Sequence, residues 1–122
     1  RNLPPANNVR QEIQDKKQRE VFDKLVELVN ANLTDQQFSV DHLCLELGMN
    51  RTKLYSFIKS TTGMSLGNYI RKIRLDKAAE LLRTTDMSIS EVGYAVGIES
   101  PSYFTRTFKE QFGNSPSEFI KH

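Results

Sequence analysis

Apolar residues recur along this chain at helical intervals, and no segment shows the alternation of a half-buried strand. The first run is KQREVFDKLVELVNANL. It predicts a helix with Val21, Phe22, Leu25, Val26, Leu28, Val29 and Leu33 on its apolar side. Ahead of it, residues 1–8 carry two prolines and three asparagines without an apolar period. That reads as a flexible tail, with the boundary expected at residue 14.

The rest of the pattern repeats. SVDHLCLELGMNRTKLYSFIKSTTGMSLGNYI, from Ser39, aligns with SISEVGYAVGIESPSYFTRTFKEQFGNSPSEFI, from Ser88. Ser39 matches Ser88, Leu43 matches Val92, Leu47 matches Val96 and Gly48 matches Gly97. One extra residue then enters the second copy. After it, Leu54 matches Phe104, Ile58 matches Phe108, Lys59 matches Lys109, Gly63 matches Gly113 and Tyr69 matches Phe119.

Each copy reads as a short helix, a glycine turn and a longer helix. Ser39 and Asn50 are the expected N-caps of the first pair. Ser88 with Glu91 forms a capping-box pattern, and Ser100 caps a helix that Pro101 begins. Gly48, Gly63, Gly97 and Gly113 stand where helices must stop. Ser65 opens a long linking helix, and Ser115, Pro116 and Glu118 open a short last one. The expectation is an all-α fold of seven helices. A first unit spans 15–64, a linking helix 65–83 and a second unit 84–122.

Composition adds little, but charge distribution adds more. The net charge is +2. Residues 1–38 balance, whereas residues 50–83 set eight basic side chains against Asp76 and Glu80. A polyanion is therefore expected to meet the middle third. Helical phase selects the outward residues. With Leu54 and Ile58 inward, Thr52, Ser56 and Lys59 face out, bordered by Tyr55 and Lys53. With Phe104 and Phe108 inward, Ser102, Arg106 and Lys109 face out, bordered by Thr105 and Tyr103. Such side chains reach base edges and phosphates. Residues 65–83 would span ~28 Å as a helix, close to the ~34 Å between successive major-groove faces. The helix carries Arg71, Lys72 and Arg74, expected beside the intervening phosphates.

Other chemistries find little support. No apolar run approaches ~20 residues, and no signal-peptide core is visible. The single cysteine, Cys44, excludes an intrachain disulfide and reads as a buried small apolar residue. His42 and His122 are isolated, without a nucleophile or metal-ligand spacing. No glycine loop suits a phosphate, so no enzyme, cofactor or metal is expected.

MSISEVGYAVGIESPSYFTRTFKEQFGNSPSEFI, with LCLELGMNRTKLYSFIKSTTGMSLGNYIRKIRLDKAAELL before it, resembles the DNA-binding domain of AraC/XylS-type transcription regulators. The resemblance runs from about Phe38 to His122. It implies two helix-turn-helix units in adjacent major grooves of double-stranded DNA, with activation through RNA polymerase in the cytoplasm. The residues matching family base readers are Thr52, Tyr55, Ser56, Ser102, Thr105 and Arg106. Arg51, Lys53, Lys59, Arg71, Lys72, Arg74, Ser100 and Lys109 are the expected backbone contacts. Many relatives carry Arg where this chain has Ser56, which weakens the expected base reading by the first unit. Some relatives place this domain at the end of a hybrid sensor kinase–regulator, and a chain opening on Arg1 fits an excerpt of that kind. A helical module for an acidic protein partner is the main alternative, followed by RNA binding.

Overall fold

Four glycines adopt left-handed φ values, from 67° to 82°, at Gly48, Gly63, Gly97 and Gly113. They punctuate a computed structural model that describes residues 6–35 and 37–120, with backbone alone for 6–13. Among the described residues the order is α1 (Ala6–Ala31), α2 (Val40–Leu47), α3 (Arg51–Thr62), α4 (Leu66–Thr84), α5 (Ile89–Ala95), α6 (Pro101–Phe112) and α7 (Pro116–Ile120). These are the seven helices expected, without a strand.

The helix ends follow from local chemistry. Ser39, Asn50, Ser65, Ser88 and Ser100 each accept a hydrogen bond from a backbone N–H in the first turn of the next helix. Such a cap is worth about 1 kcal/mol. The Ser88–Glu91 box forms in both directions and holds the Glu91 carboxyl below the usual carboxylate range. Ser115 and Glu118 exchange the same pair of bonds. The short helices of the two copies end alike: Met49 N–H returns to the Cys44 carbonyl at 3.0 Å, and Ile98 N–H to the Gly93 carbonyl at 2.8 Å.

The stretch expected as a flexible tail or linker, 1–14, overlaps the first helix. Residues 1–5 lie outside the described part, but α1 already begins at Ala6. Its early segment, VRQEIQDKKQRE, is rich in straight-chain residues that lose little rotamer freedom in a helix. Once the packed half of α1 has formed, extension adds one hydrogen bond per residue fixed.

Two cores flank α4. Leu66 and Ile73 join Leu25, Val29, Leu43, Leu54 and Ile58 in the first. Leu75, Ala78, Ala79 and Leu82 join Val92, Val96, Ile98, Phe104 and Phe108 in the second. The N-terminal half of α4 therefore buries one face and the C-terminal half the opposite face. Phe108 closes the second core against Phe112 and Phe119, at ring-centroid distances of 4.5 and 5.3 Å. Phe22 closes the first against Phe57 at 5.1 Å. Cys44 is half-buried at the edge of the first core rather than fully enclosed.

Leu33, just after α1, packs against both cores. Its carbonyl accepts from Arg74 Nη1 at 2.6 Å, and the same nitrogen donates to the Val96 carbonyl at 2.8 Å. A methyl group on Gly97 would collide with the Leu33 carbonyl and the Arg74 guanidinium, whereas nothing lies within 4 Å of one on Gly63. Both glycines have positive φ, so alanine strains either by roughly 1–2 kcal/mol. Gly97→Ala should cost a further ~1–3 kcal/mol for the collision. Chemical denaturation of the two variants side by side checks this, and equal losses would show that the junction yields freely.

Candidate nucleic-acid interface

Helix α3 is held inward by Leu54 and Ile58, so Thr52, Tyr55 and Ser56 stand exposed. Arg51, at its start, is fixed rather than free. Its Nε pairs with Asp41 Oδ1 on α2 at 2.9 Å, and its Nη1 donates to the Tyr55 hydroxyl at 3.3 Å. The Asp41 carboxylate raises the Arg51 pKa further above its ordinary value. Arg51 thus orients Tyr55 besides lending charge. Lys53 is exposed and shares a shallow apolar groove with Ser56, Phe57 and the α1 residues Gln14, Lys17 and Val21. Lys59 reaches the Gly63 carbonyl at 3.0 Å and so satisfies the end of its own helix.

Helix α6 is held by Phe104, Thr107 and Phe108, leaving Ser102, Thr105 and Arg106 exposed. Thr107 is buried because its hydroxyl donates to the Tyr103 carbonyl at 2.8 Å. Ser100 accepts from Tyr103 N–H at 3.3 Å and lies 3.3 Å, hydroxyl to hydroxyl, from Ser102. The Arg106 guanidinium sits 5.3 Å from the centroid of the Tyr103 ring, a cation–π distance. The Tyr103 hydroxyl in turn accepts from Arg71 Nη1 at 3.1 Å. Lys109 is exposed on the same helix.

The three cations expected together along α4 diverge. Successive residues turn by ~100°, so Arg71, Lys72 and Arg74 point three ways. Arg71 faces α6 and lines an open groove with Asn68, Glu99, Ser100 and Tyr103. Lys72 pairs with Asp76 at 2.8 Å, which raises its pKa, and Asp76 also accepts from Gln111 of α6 at 2.7 Å. Arg74, another expected backbone contact, has its Nη1 already engaged. Its guanidinium is half-buried between two carbonyls, and burial lowers its pKa from the ordinary value. A phosphate could not take Nη1 without displacing a carbonyl.

The structure therefore leaves all six expected base readers in the open, three on each long helix of a pair. It also brings in Tyr103, which periodicity placed only at the border of the outer face. Tyr103 joins α4 to α6 and supports Arg106. Its partner Arg71 is 32 residues away, so helical phase alone could not reveal the role.

A family model described as a helix-turn-helix domain matches residues 43–122. A curated relative, histidine kinase P4 of Formosa agariphila, is 37% identical over 82% of this chain but only 7% of its own length. The chain spans 7% to 34% of the lengths of five such relatives. The solved structure of a transcriptional regulator with an AraC-type DNA-binding domain, from Chromobacterium violaceum, superposes with a TM-score of 0.76. It is 28% identical, over 84% of this chain and 91% of that one. The DNA-binding domain of the global transcriptional factor AdpA, solved with a target DNA, has a TM-score of 0.68. It is also 28% identical, over 85% of this chain and 89% of that one.

The Tyr103 contacts can be separated by substitution. Tyr103→Phe keeps the ring beneath Arg106 and releases only Arg71, whereas Tyr103→Ala removes both supports. On a duplex selected from random sequence, Tyr103→Ala should weaken binding by about 1 kcal/mol more than Tyr103→Phe. Equal losses in a titration would assign the effect to the hydroxyl rather than the ring.

Proposed function

The chain belongs to the AraC-type helix-turn-helix family, and from that premise we propose that it is a sequence-specific double-stranded-DNA-binding transcription regulator. The observation that carries the reading is the pair of rigidly mounted helices, α3 and α6, each exposing short polar side chains above a closed core. A helix of this kind enters the major groove with its first turns against base edges. Thr52, Tyr55 and Ser56 then read one groove, and Ser102, Thr105 and Arg106 read the next. Among these, Arg106 alone can make the bidentate contact that selects guanine.

The comparisons support the wider setting as well as the site. AdpA's similar domain was solved on a target DNA, and a relative named as a histidine kinase carries this segment as a small part of its length. The chain is therefore read as the output part of a longer signalling protein. Activation through RNA polymerase and a cytoplasmic location follow from the family resemblance. Transcription in vitro from a template bearing the selected site tests the first of these.

Selecting bound duplexes from a random pool tests the function itself. Specific binding should weaken steeply between 50 and 200 mM salt, on the order of a hundredfold or more if several phosphates are neutralised. Binding duplex no better than single-stranded RNA would sink the reading. Arg106→Ala should cost ~1–3 kcal/mol and relax preference at one base position. Lys53→Ala should weaken all sequences alike and reduce the salt slope by about one.

A further inference from the structure

Arg74 is the basic residue of α4 whose Nη1 is held by two backbone carbonyls, and the DNA reading above has no direct use for it. Its Nη1 joins two segments that are otherwise far apart in the chain. The Leu33 carbonyl lies 41 residues before it and the Val96 carbonyl 22 residues after it. Leu33 belongs to the turn after α1, in the first unit. Val96 is the C-cap of α5, immediately before the turn that leads to α6. Gly97 occupies that turn without a side chain, in a left-handed conformation, and any Cβ there would strike both the carbonyl and the guanidinium. The Leu33 side chain touches both cores. Three elements thus meet at one half-buried cation.

We propose that Arg74 is a positioning residue that fixes the two recognition helices relative to one another, and so makes the chain selective for the spacing of its two DNA half-sites. The proposal rests on the DNA reading above and extends it. Without the guanidinium, each unit keeps its own core on α4. The end of α1 and the α5–α6 turn lose the polar tether between them, leaving the Leu33 side chain as their apolar contact. The second unit can then tilt about α4, carrying α6 with it. A locked pair must present its two faces at one separation and one rotation. One added base pair moves a half-site by ~3.4 Å and turns it by ~35°. A locked pair loses contacts on such a duplex, and a loosened pair recovers some of them. The family match covers residues 43–122, so the Leu33 carbonyl lies outside it. The tether therefore ties the paired units to the helix that enters from upstream.

The experiment uses the 122-residue chain and a duplex selected from a random pool, together with its two half-sites and versions carrying one base pair more or fewer between them. The unaltered chain should lose roughly tenfold in affinity on either spacing change. Arg74→Ala should bind each isolated half-site within about twofold of the unaltered chain. It should bind the correctly spaced duplex roughly tenfold more weakly and show a much smaller spacing penalty. Arg74→Lys, which keeps the charge and can reach one carbonyl, should fall between the two. An unchanged spacing penalty in Arg74→Ala would overturn the proposal. So would equal proportional losses on half-sites and full site, because they would mark a general folding defect. If Arg74→Ala does not fold, the intermediate penalty of Arg74→Lys decides the question. A chain that selects no duplex at all instead refutes the DNA reading, before Arg74 is tested.

Discussion

The arrangement of this molecule depends on one half-buried guanidinium. Removing a cation from water is unfavourable unless its donors find acceptors, and Arg74 finds two backbone carbonyls from opposite units. Those carbonyls would otherwise end a helix-terminal turn without a partner, so both sides of the junction gain. The partly buried Leu33 side chain packs against both cores beside the site. Gly97 is the residue that allows the close approach. The second unit, whose core already seats α6 on α4, is tied to the first through these groups.

Helix α4 explains why such a junction is needed. It is a single helix with two apolar faces, and each unit packs on its own half. A shared helix transmits position well, but it leaves rotation of one unit about the axis weakly restrained. Contacts between α4 and α6 supply the rest: Arg71 with Tyr103, and Asp76 with Gln111. These lie at the surface and are individually worth little. The part-buried bonds of Arg74 add a restraint that joins segments from both units.

The basic surplus of the middle third takes on a different meaning in this light. Arg51, Lys72 and Lys77 pair with Asp41, Asp76 and Glu80, while Lys59 and Arg74 bind carbonyls. Arg83 lies over the Phe119 ring at 6.0 Å. Much of the charge in this stretch therefore organises helices before it can attract a polyanion. Lys53 on α3 and Lys109 on α6 are exposed in similar settings, one on each long helix.

Helix positions, caps and the inward phase of Leu54, Ile58, Phe104 and Phe108 were legible in the residues alone. Each depends on neighbours within about four positions. The same holds for the outward placement of Thr52, Tyr55, Ser56, Ser102, Thr105 and Arg106. The sequence alone therefore determined seven helices, two similar units and the faces they expose. It did not disclose that α1 continues to Ala6, because Ala6, Val9 and Ile13 are too sparse a set to mark it beside Pro4 and Pro5. Nor did it separate the three cations of α4, which look equivalent when read in line. The tertiary structure decided that Arg71 serves Tyr103, Lys72 serves Asp76 and Arg74 joins the two units. Helical phase is a local property, set by a fixed rotation per residue. The partner of a long cationic side chain is chosen by whichever acceptor packing brings near it, here from 22 to 41 residues away for Arg74.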